Sequence, residues 1–139
     1  MINFHYITDY QLVKENLFVD WISKVVISEN AHVVQIDYVF CDDAYLLEIN
    51  RKYLEHDTYT DIITFDYTVG ENISGDVFIS IERVMENAKT YEVEFQDELK
   101  RVMAHGILHL LGYGDKSKEE SVLMRSKEEE KMKLFHVEH

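Results

Sequence analysis

The strongest constraint in this chain is the stretch Arg101-Val-Met-Ala-His105-Gly-Ile-Leu-His109-Leu-Leu-Gly112-Tyr-Gly-Asp115. Two histidines stand four residues apart in an apolar run without proline. On a helix, at about 100° per residue, they lie about 40° apart on one face. Leu99, Met103, Ile107 and Leu110 fall on roughly the opposite side, and Ala104, Leu108 and Leu111 widen the apolar surface. The C-terminal half of this helix is therefore expected to be buried nearly all round. Histidines in such a helix must find partners, because buried polar groups without them are costly.

The spacing is the one a helix uses to offer two imidazoles to one metal ion. Gly112 is placed to stop the helix by entering the left-handed conformation, and Gly114 to free the next step of the turn. The chain can then swing Asp115 back towards the histidines. The pattern His-x-x-x-His-x-x-Gly-x-x-Asp has the metzincin spacing, with a carboxylate where those proteases put a third histidine. Two imidazoles and one carboxylate leave a tetrahedral zinc one open position. A pair of satisfied core histidines and a capping aspartate would be the bland alternative. The glycine and the ligand type after the second histidine favour the metal. His105, His109 and Asp115 are thus candidate ligands for one divalent transition metal, Zn2+ by donor type. Metalloproteases of this spacing carry Glu beside the first histidine as general base. Gly106 stands there, which points to a hydrolysis other than peptide cleavage. No general base is assigned.

The 139 residues are most simply one domain, 1–139, long enough to bury roughly two-thirds of the unfolded surface without a disulfide. Cys41 has no second cysteine to pair with, which fits a reducing cytosol. No apolar run approaches the roughly 18 residues that span a bilayer. The opening Met-Ile-Asn-Phe-His-Tyr lacks the basic start and apolar core of a signal peptide. A soluble, cytoplasmic protein that meets no membrane is the expectation. The net charge of −13 opposes general affinity for nucleic acid or anionic lipid, without excluding a local basic patch.

Along the chain, residues 2–7 alternate as a short strand. Asp9 is placed to cap a helix running to about Ser28, with Trp21 in the core or at its rim. Val33 to Phe40 is β-branched and aromatic, a strand. Asp42 or Asp43 caps a helix through Tyr53 with Leu46, Leu47 and Ile49 inward. A polar connection with His56 and Asp57 leads to a strand at 61–67. A loop at 68–75 and a strand at 76–81 complete a hairpin. Residues 82–92 are helical, and the His105 helix starts near Phe95. Ser117-Lys-Glu-Glu120 is a capping-box signature for a last helix with Val122, Leu123, Met132 and Leu134 apolar. The charge run Lys127–Lys133 is expected to be a solvated face. His136 and His139 sit near a terminus expected to fray.

Three stretches together resemble the YbeY family of bacterial metal-dependent endoribonucleases and rRNA maturation factors. They are His105-Gly-Ile-Leu-His109-Leu-Leu-Gly112-Tyr113; Leu47-Glu-Ile-Asn50-Arg-Lys-Tyr53 with Asp57 and Thr60-Asp61-Ile-Ile-Thr-Phe65; and Gly75-Asp76-Val-Phe-Ile. Asp115 stands where the family signature has a third histidine, and Leu54 where it commonly has arginine. If that arginine holds phosphate, Arg51 or Lys52 must substitute as a substrate contact.

The resemblance implies an α+β single domain. A small mixed sheet of about four strands would pack around the buried metal-binding helix, with additional helices. It implies a metal-dependent endoribonuclease acting on single-stranded RNA, rRNA above all. The ribosome or ribosome-associated proteins would be its partners in rRNA maturation and ribosome quality control. Two other classes stand beside it: a metallohydrolase of peptides or small molecules, and a ribosome-associated binding protein with a structural metal.

Overall fold

A computed structural model describes residues 1–54 and 60–135. His56, Asp57, His136 and His139 lie outside the described residues. The order of elements is β1 (Ile2–Tyr6), α1 (Glu15–Ser28), β2 (His32–Cys41), α2 (Asp43–Leu54), β3 (Ile62–Asp66), β4 (Asn72–Ser80), α3 (Ile81–Thr90), α4 (Phe95–Leu110) and α5 (Lys118–Met132). The strands form one sheet in the order β1-β2-β4-β3. β1, β2 and β4 run parallel, and β3 pairs antiparallel with β4 at the edge. The fold is α+β with a four-stranded mixed sheet, as the sequence implied.

The alternation of strand residues splits the core in two. Ile36, Tyr38 and Phe40 of β2 and Ile73, Val77 and Ile79 of β4 face a large cluster that includes α1 and α4. A smaller cluster on the other face joins Cys41, Leu46 and Ile63, with Phe65 and Phe78 packed against it. α4 is the most deeply set helix: Leu99, Val102, Met103, Ala104, Ile107, Leu108 and Leu110 are all buried. Each large apolar side chain among them stabilises the fold by about 1.5–3 kcal/mol. The hydroxyl of Tyr38 donates to the carbonyl of Met103 at 3.0 Å, tying helix to sheet. Trp21 is fully buried, and its indole nitrogen donates to the carbonyl of Lys131 at 2.8 Å.

Four local expectations change. α1 starts at Glu15 rather than behind Asp9, because Lys14 enters the left-handed region (φ 61) and serves as N-cap. The preceding loop is held by burial of Leu12 and by its N–H donating to the Tyr6 hydroxyl. The expected loop at 68–75 shrinks to a tight turn around Gly70 (φ 60), and Gly75 lies inside β4. A Cβ at Gly75 would stand 2.6 Å from the Phe65 carbonyl oxygen and 2.7 Å from Leu110. Glycine there lets β3 and α4 close on β4. α5 has the capping box of Ser117 and Glu120, but Val122 and Leu123 are exposed. Its buried residues are Met124, Glu128 and Lys131, spaced along one helical face. The run Lys127–Lys133 is therefore not a wholly solvated face. Asp42 does cap α2, its carboxylate accepting from the Tyr45 N–H at 2.8 Å.

Candidate metal centre

The geometry of the centre begins with the end of α4. Gly112 sits at φ 101, its N–H donates to the His109 carbonyl at 3.0 Å, and the Tyr113 N–H donates to the Leu108 carbonyl at 2.9 Å. This is the Schellman arrangement, which satisfies the last carbonyls and turns the chain back. Asp115 follows, held by the Ser121 hydroxyl, which donates to its carbonyl at 2.9 Å.

The turn also places an acceptor against each imidazole. Nδ1 of His109 donates to the Tyr113 carbonyl at 3.0 Å. Nδ1 of His105 donates to Glu128 Oε2 at 2.6 Å. A carbonyl oxygen can only accept, so the His109 proton is on Nδ1. Burial would raise the Glu128 carboxyl, but the hydrogen bond from His105 and the charge of Arg101 outweigh it and hold it below the usual range. Ionised, Glu128 also only accepts. In the neutral rings both Nε2 atoms therefore carry lone pairs. They face each other at 2.9 Å, and Asp115 Oδ2 lies 3.2 Å from one and 3.3 Å from the other.

Two lone pairs and a carboxylate converging this closely repel one another unless a metal ion or a proton shares them. The edges are close to the roughly 3.3 Å of a tetrahedral shell with bonds of about 2.0 Å. The three residues form a group that could hold a metal ion, and the donor set fits one. His105 and His109 are part-buried and Asp115 is exposed, so the group opens to solvent.

It opens into a cleft of about 820 Å³ lined also by Asn50, Leu54, Asp61, Arg101 and Lys116. Arg101 and Lys116 are the arginine and lysine among the described lining residues. Arg101 is clamped by Glu98 at 2.7 Å and Glu128 at 3.2 Å, with Asp61 at 3.9 Å. Burial raises the Asp61 carboxyl above its usual range, against the opposing charges of Arg101 and His105. Gly106 faces the sheet: a Cβ there would stand 2.8 Å from Val77 Cγ1 and 3.0 Å from Ile62 Cδ1. Close packing of α4 on β3 and β4 leaves no room for a protease-type glutamate.

Arg51 and Lys52 are not brought to this cleft. Both are exposed in the last turn of α2. Lys52 lies 5.2 Å from the Tyr53 ring centre and lines a separate hollow with Tyr45, Phe65 and Phe78. Leu54 does line the cleft beside the candidate ligands. Cys41 is buried beneath α2, its thiol pushed up to about 12 by burial and by the charges of Asp42 and Asp43. The sequence reading missed Glu128 and Arg101 as partners of the site. In sequence Glu128 carries no signal that sets it apart from the other charges of α5; Lys131, also charged, is buried on the same face.

A mixed α+β sheet carrying a His-x-x-x-His helix, with a carboxylate returned by a glycine turn, defines the class: a protein with a candidate single-metal centre in an open cleft. Comparison with known proteins gives the family. The family described as Endoribonuclease YbeY matches residues 5–136. The chain is 59% identical to Endoribonuclease YbeY of Flavobacterium johnsoniae, covering 99% of both chains. It is 57% identical to that of Flavobacterium psychrophilum, over 99% of this chain and 98% of the relative. The solution structure of TM1509 from Thermotoga maritima is similar with a TM-score of 0.70 at 27% identity, covering 97% of this chain and 89% of that one. The chain belongs to the endoribonuclease YbeY family. Among the described residues, no helix is long and apolar enough to cross a membrane.

Proposed function

We propose that residues 1–139 form one metallohydrolase domain that cuts single-stranded RNA, chiefly ribosomal RNA. Its setting would be rRNA maturation and ribosome quality control in the cytoplasm. His105, His109 and Asp115 would hold one divalent transition metal, Zn2+. One observation carries the reading: two Nε2 atoms and one carboxylate oxygen converge at 2.9–3.3 Å in an open cleft. The family match, and the name endoribonuclease borne by its relatives, supply the substrate class.

When bound, the ion would supply a Lewis acid for the scissile phosphate and an acidified water. The chain's own residues do the rest. Arg101 is held rigidly by Glu98 and Glu128, so its guanidinium is fixed in the cleft wall where a phosphodiester enters, with much of its charge compensated by those carboxylates. Lys116, exposed at the rim, adds a mobile one. Gly106 keeps α4 close against the sheet, so the two imidazoles do not shift as substrate arrives. The flexibility of single-stranded RNA lets a phosphate reach the cleft, and the ribosome or its associated proteins would position it.

Single-stranded RNA is incubated with metal-loaded protein, with chelator, and with His105→Ala, alone and with ribosomal subunits. Cleavage that needs both the metal and His105 is expected. Equal cleavage by His105→Ala in every condition would show the activity to be a contaminant's. No cleavage by wild type even with ribosomes would sink the nuclease reading.

A further inference from the structure

Glu128 is the one carboxylate on α5 that is both buried and joined to a candidate ligand. Its side chain is only 3% exposed. One oxygen accepts from His105 Nδ1 at 2.6 Å, and the other from Arg101 at 3.2 Å. Burying a carboxylate is costly unless it is paired and hydrogen-bonded. Here both oxygens are engaged, and by different side chains of the same neighbouring helix. Arg101 in turn is gripped by Glu98 through two nitrogens, at 2.9 and 2.7 Å. The cation therefore cannot easily swing away and leave Glu128 alone.

A purely structural role would need only the Arg101 pair. The contact with His105 adds something different. An imidazole has two tautomers, and the group that accepts at one nitrogen decides which nitrogen keeps its lone pair. His109 has its tautomer set by the backbone, through the Tyr113 carbonyl. For His105 a side chain fills that role: Glu128, from 23 residues away in sequence. The two rings, four residues apart on one helix, thus depend on two different devices, and one of them is carried by α5.

We propose that Glu128 is a positioning residue for the candidate metal centre. It holds His105 in the Nδ1–H tautomer with Nε2 aimed at the metal position, while Arg101 compensates its charge. This rests on the reading of His105 as a ligand. It adds that α5, none of whose described residues lines the cleft, is part of what makes the site competent. Outer groups of this kind commonly affect metal affinity by about 10–100-fold.

The test uses the full chain and three forms: wild type, Glu128→Gln and Glu98→Gln. Glu98→Gln removes another buried carboxylate from Arg101 but leaves the His105 contact, so it reports the structural part alone. Zn2+ affinity is measured by competition with a chromophoric chelator, the Co2+ absorption spectrum reports ligand geometry, and long-range 1H–15N NMR of metal-free protein reports the tautomer. The expected result is a loss of Zn2+ affinity of about 10–100-fold in Glu128→Gln with an altered Co2+ spectrum, and little change of either in Glu98→Gln. Metal-free wild type should show His105 protonated at Nδ1, and Glu128→Gln should show a mixture. Equal losses in the two variants with an unchanged tautomer would reduce Glu128 to a structural ion pair and overturn the proposal. Finding His105 in the neutral Nε2–H tautomer, with Nδ1 bare, in metal-free wild type would overturn it without any variant, even if Glu128→Gln does not fold. Absence of metal binding by wild type would instead sink the ligand assignment, and the NMR result would separate the two failures.

Discussion

Lys131 of α5 and Glu29 at the end of α1 meet at 2.8 Å, with the lysine only 2% exposed. Glu29 also accepts from the Tyr113 hydroxyl at 2.5 Å. Since the Tyr113 carbonyl holds His109, the pair ties the ligand-bearing turn to two helices. Partial burial would raise the Glu29 carboxyl, but the hydrogen bonds from Lys131 and Tyr113 prevail and bring it from 4.5 to about 2. The folded value lies below the unfolded one. The stabilisation is therefore full above about pH 4.5 and is lost as pH falls towards 2.

Glu29→Gln is accordingly expected to cost about 2–3 kcal/mol at pH 7. Each tenfold change in proton affinity between the folded and unfolded chain corresponds to about 1.4 kcal/mol, and partial solvent screening trims the total. The difference from wild type should shrink to near zero at about pH 2. Urea denaturation at about pH 7, 4.5 and 2.5 measures it. Parallel stability curves for the two proteins over that range would show that Glu29 is not the acid-sensitive group.

The candidate metal centre predicts one divalent ion per chain. His109→Ala should abolish it, Asp115→Asn should weaken it sharply, and Asp115→His should restore a three-histidine site. Elemental analysis after dialysis, with titration of each variant, reads this out. Equal affinity in wild type and both Asp115 variants would make Asp115 a loop residue only.

Gly106→Glu tests whether a protease-type base could be added. The first side-chain carbon already falls 2.8 Å from Val77. The rest of a glutamate would enter the apolar layer between α4 and the sheet. Overpacking costs about 1–3 kcal/mol, and an unpaired buried carboxylate adds to it. The expected outcome is a clear fall in melting temperature and no peptidase activity. A variant as stable as wild type that hydrolyses peptides would mean that position 106 faces the cleft after all.

How far the sequence announced this structure differs between α4 and α5. α4 was legible to its first residue, because its apolar period and the Gly112 stop act locally. The convergence of His105, His109 and Asp115 followed from the same local geometry. α5 misled, although its capping box was plain. Which of its charges is buried depends on Arg101 and His105, which lie 27 and 23 residues from Glu128, and nothing near Glu128 in sequence shows them. Gly75 reads as a loop residue in the sequence for a like reason: the atoms that exclude a Cβ there belong to Phe65 and Leu110.

The last prediction concerns RNA and the acidic surface. The chain carries 27 acidic residues against 14 basic ones. Among the described residues, the lysine and arginine that line the cleft are Lys116 and Arg101. On single strands each phosphate neutralised contributes roughly 0.7 to the slope of log binding constant against log salt. Two contacts give a slope of about −1.4, far shallower than that of a dedicated nucleic-acid-binding surface. Between about 50 and 200 mM salt, affinity should fall only about sevenfold by that slope. Lys116→Ala should lower the slope by about 0.7, because its ammonium is exposed and its loss leaves no buried partner. Fluorescence anisotropy of a labelled single-stranded RNA across that salt range, with wild type and Lys116→Ala, makes the measurement. A wild-type slope of about −4 or steeper would correspond to six or so phosphate contacts. The described lining of the cleft does not supply these, and RNA would then have to lie along another surface, with Arg51 and Lys52 on α2 the first place to look. A shallow slope unchanged in Lys116→Ala would remove Lys116 from the substrate path and leave Arg101 as the phosphate contact of the cleft.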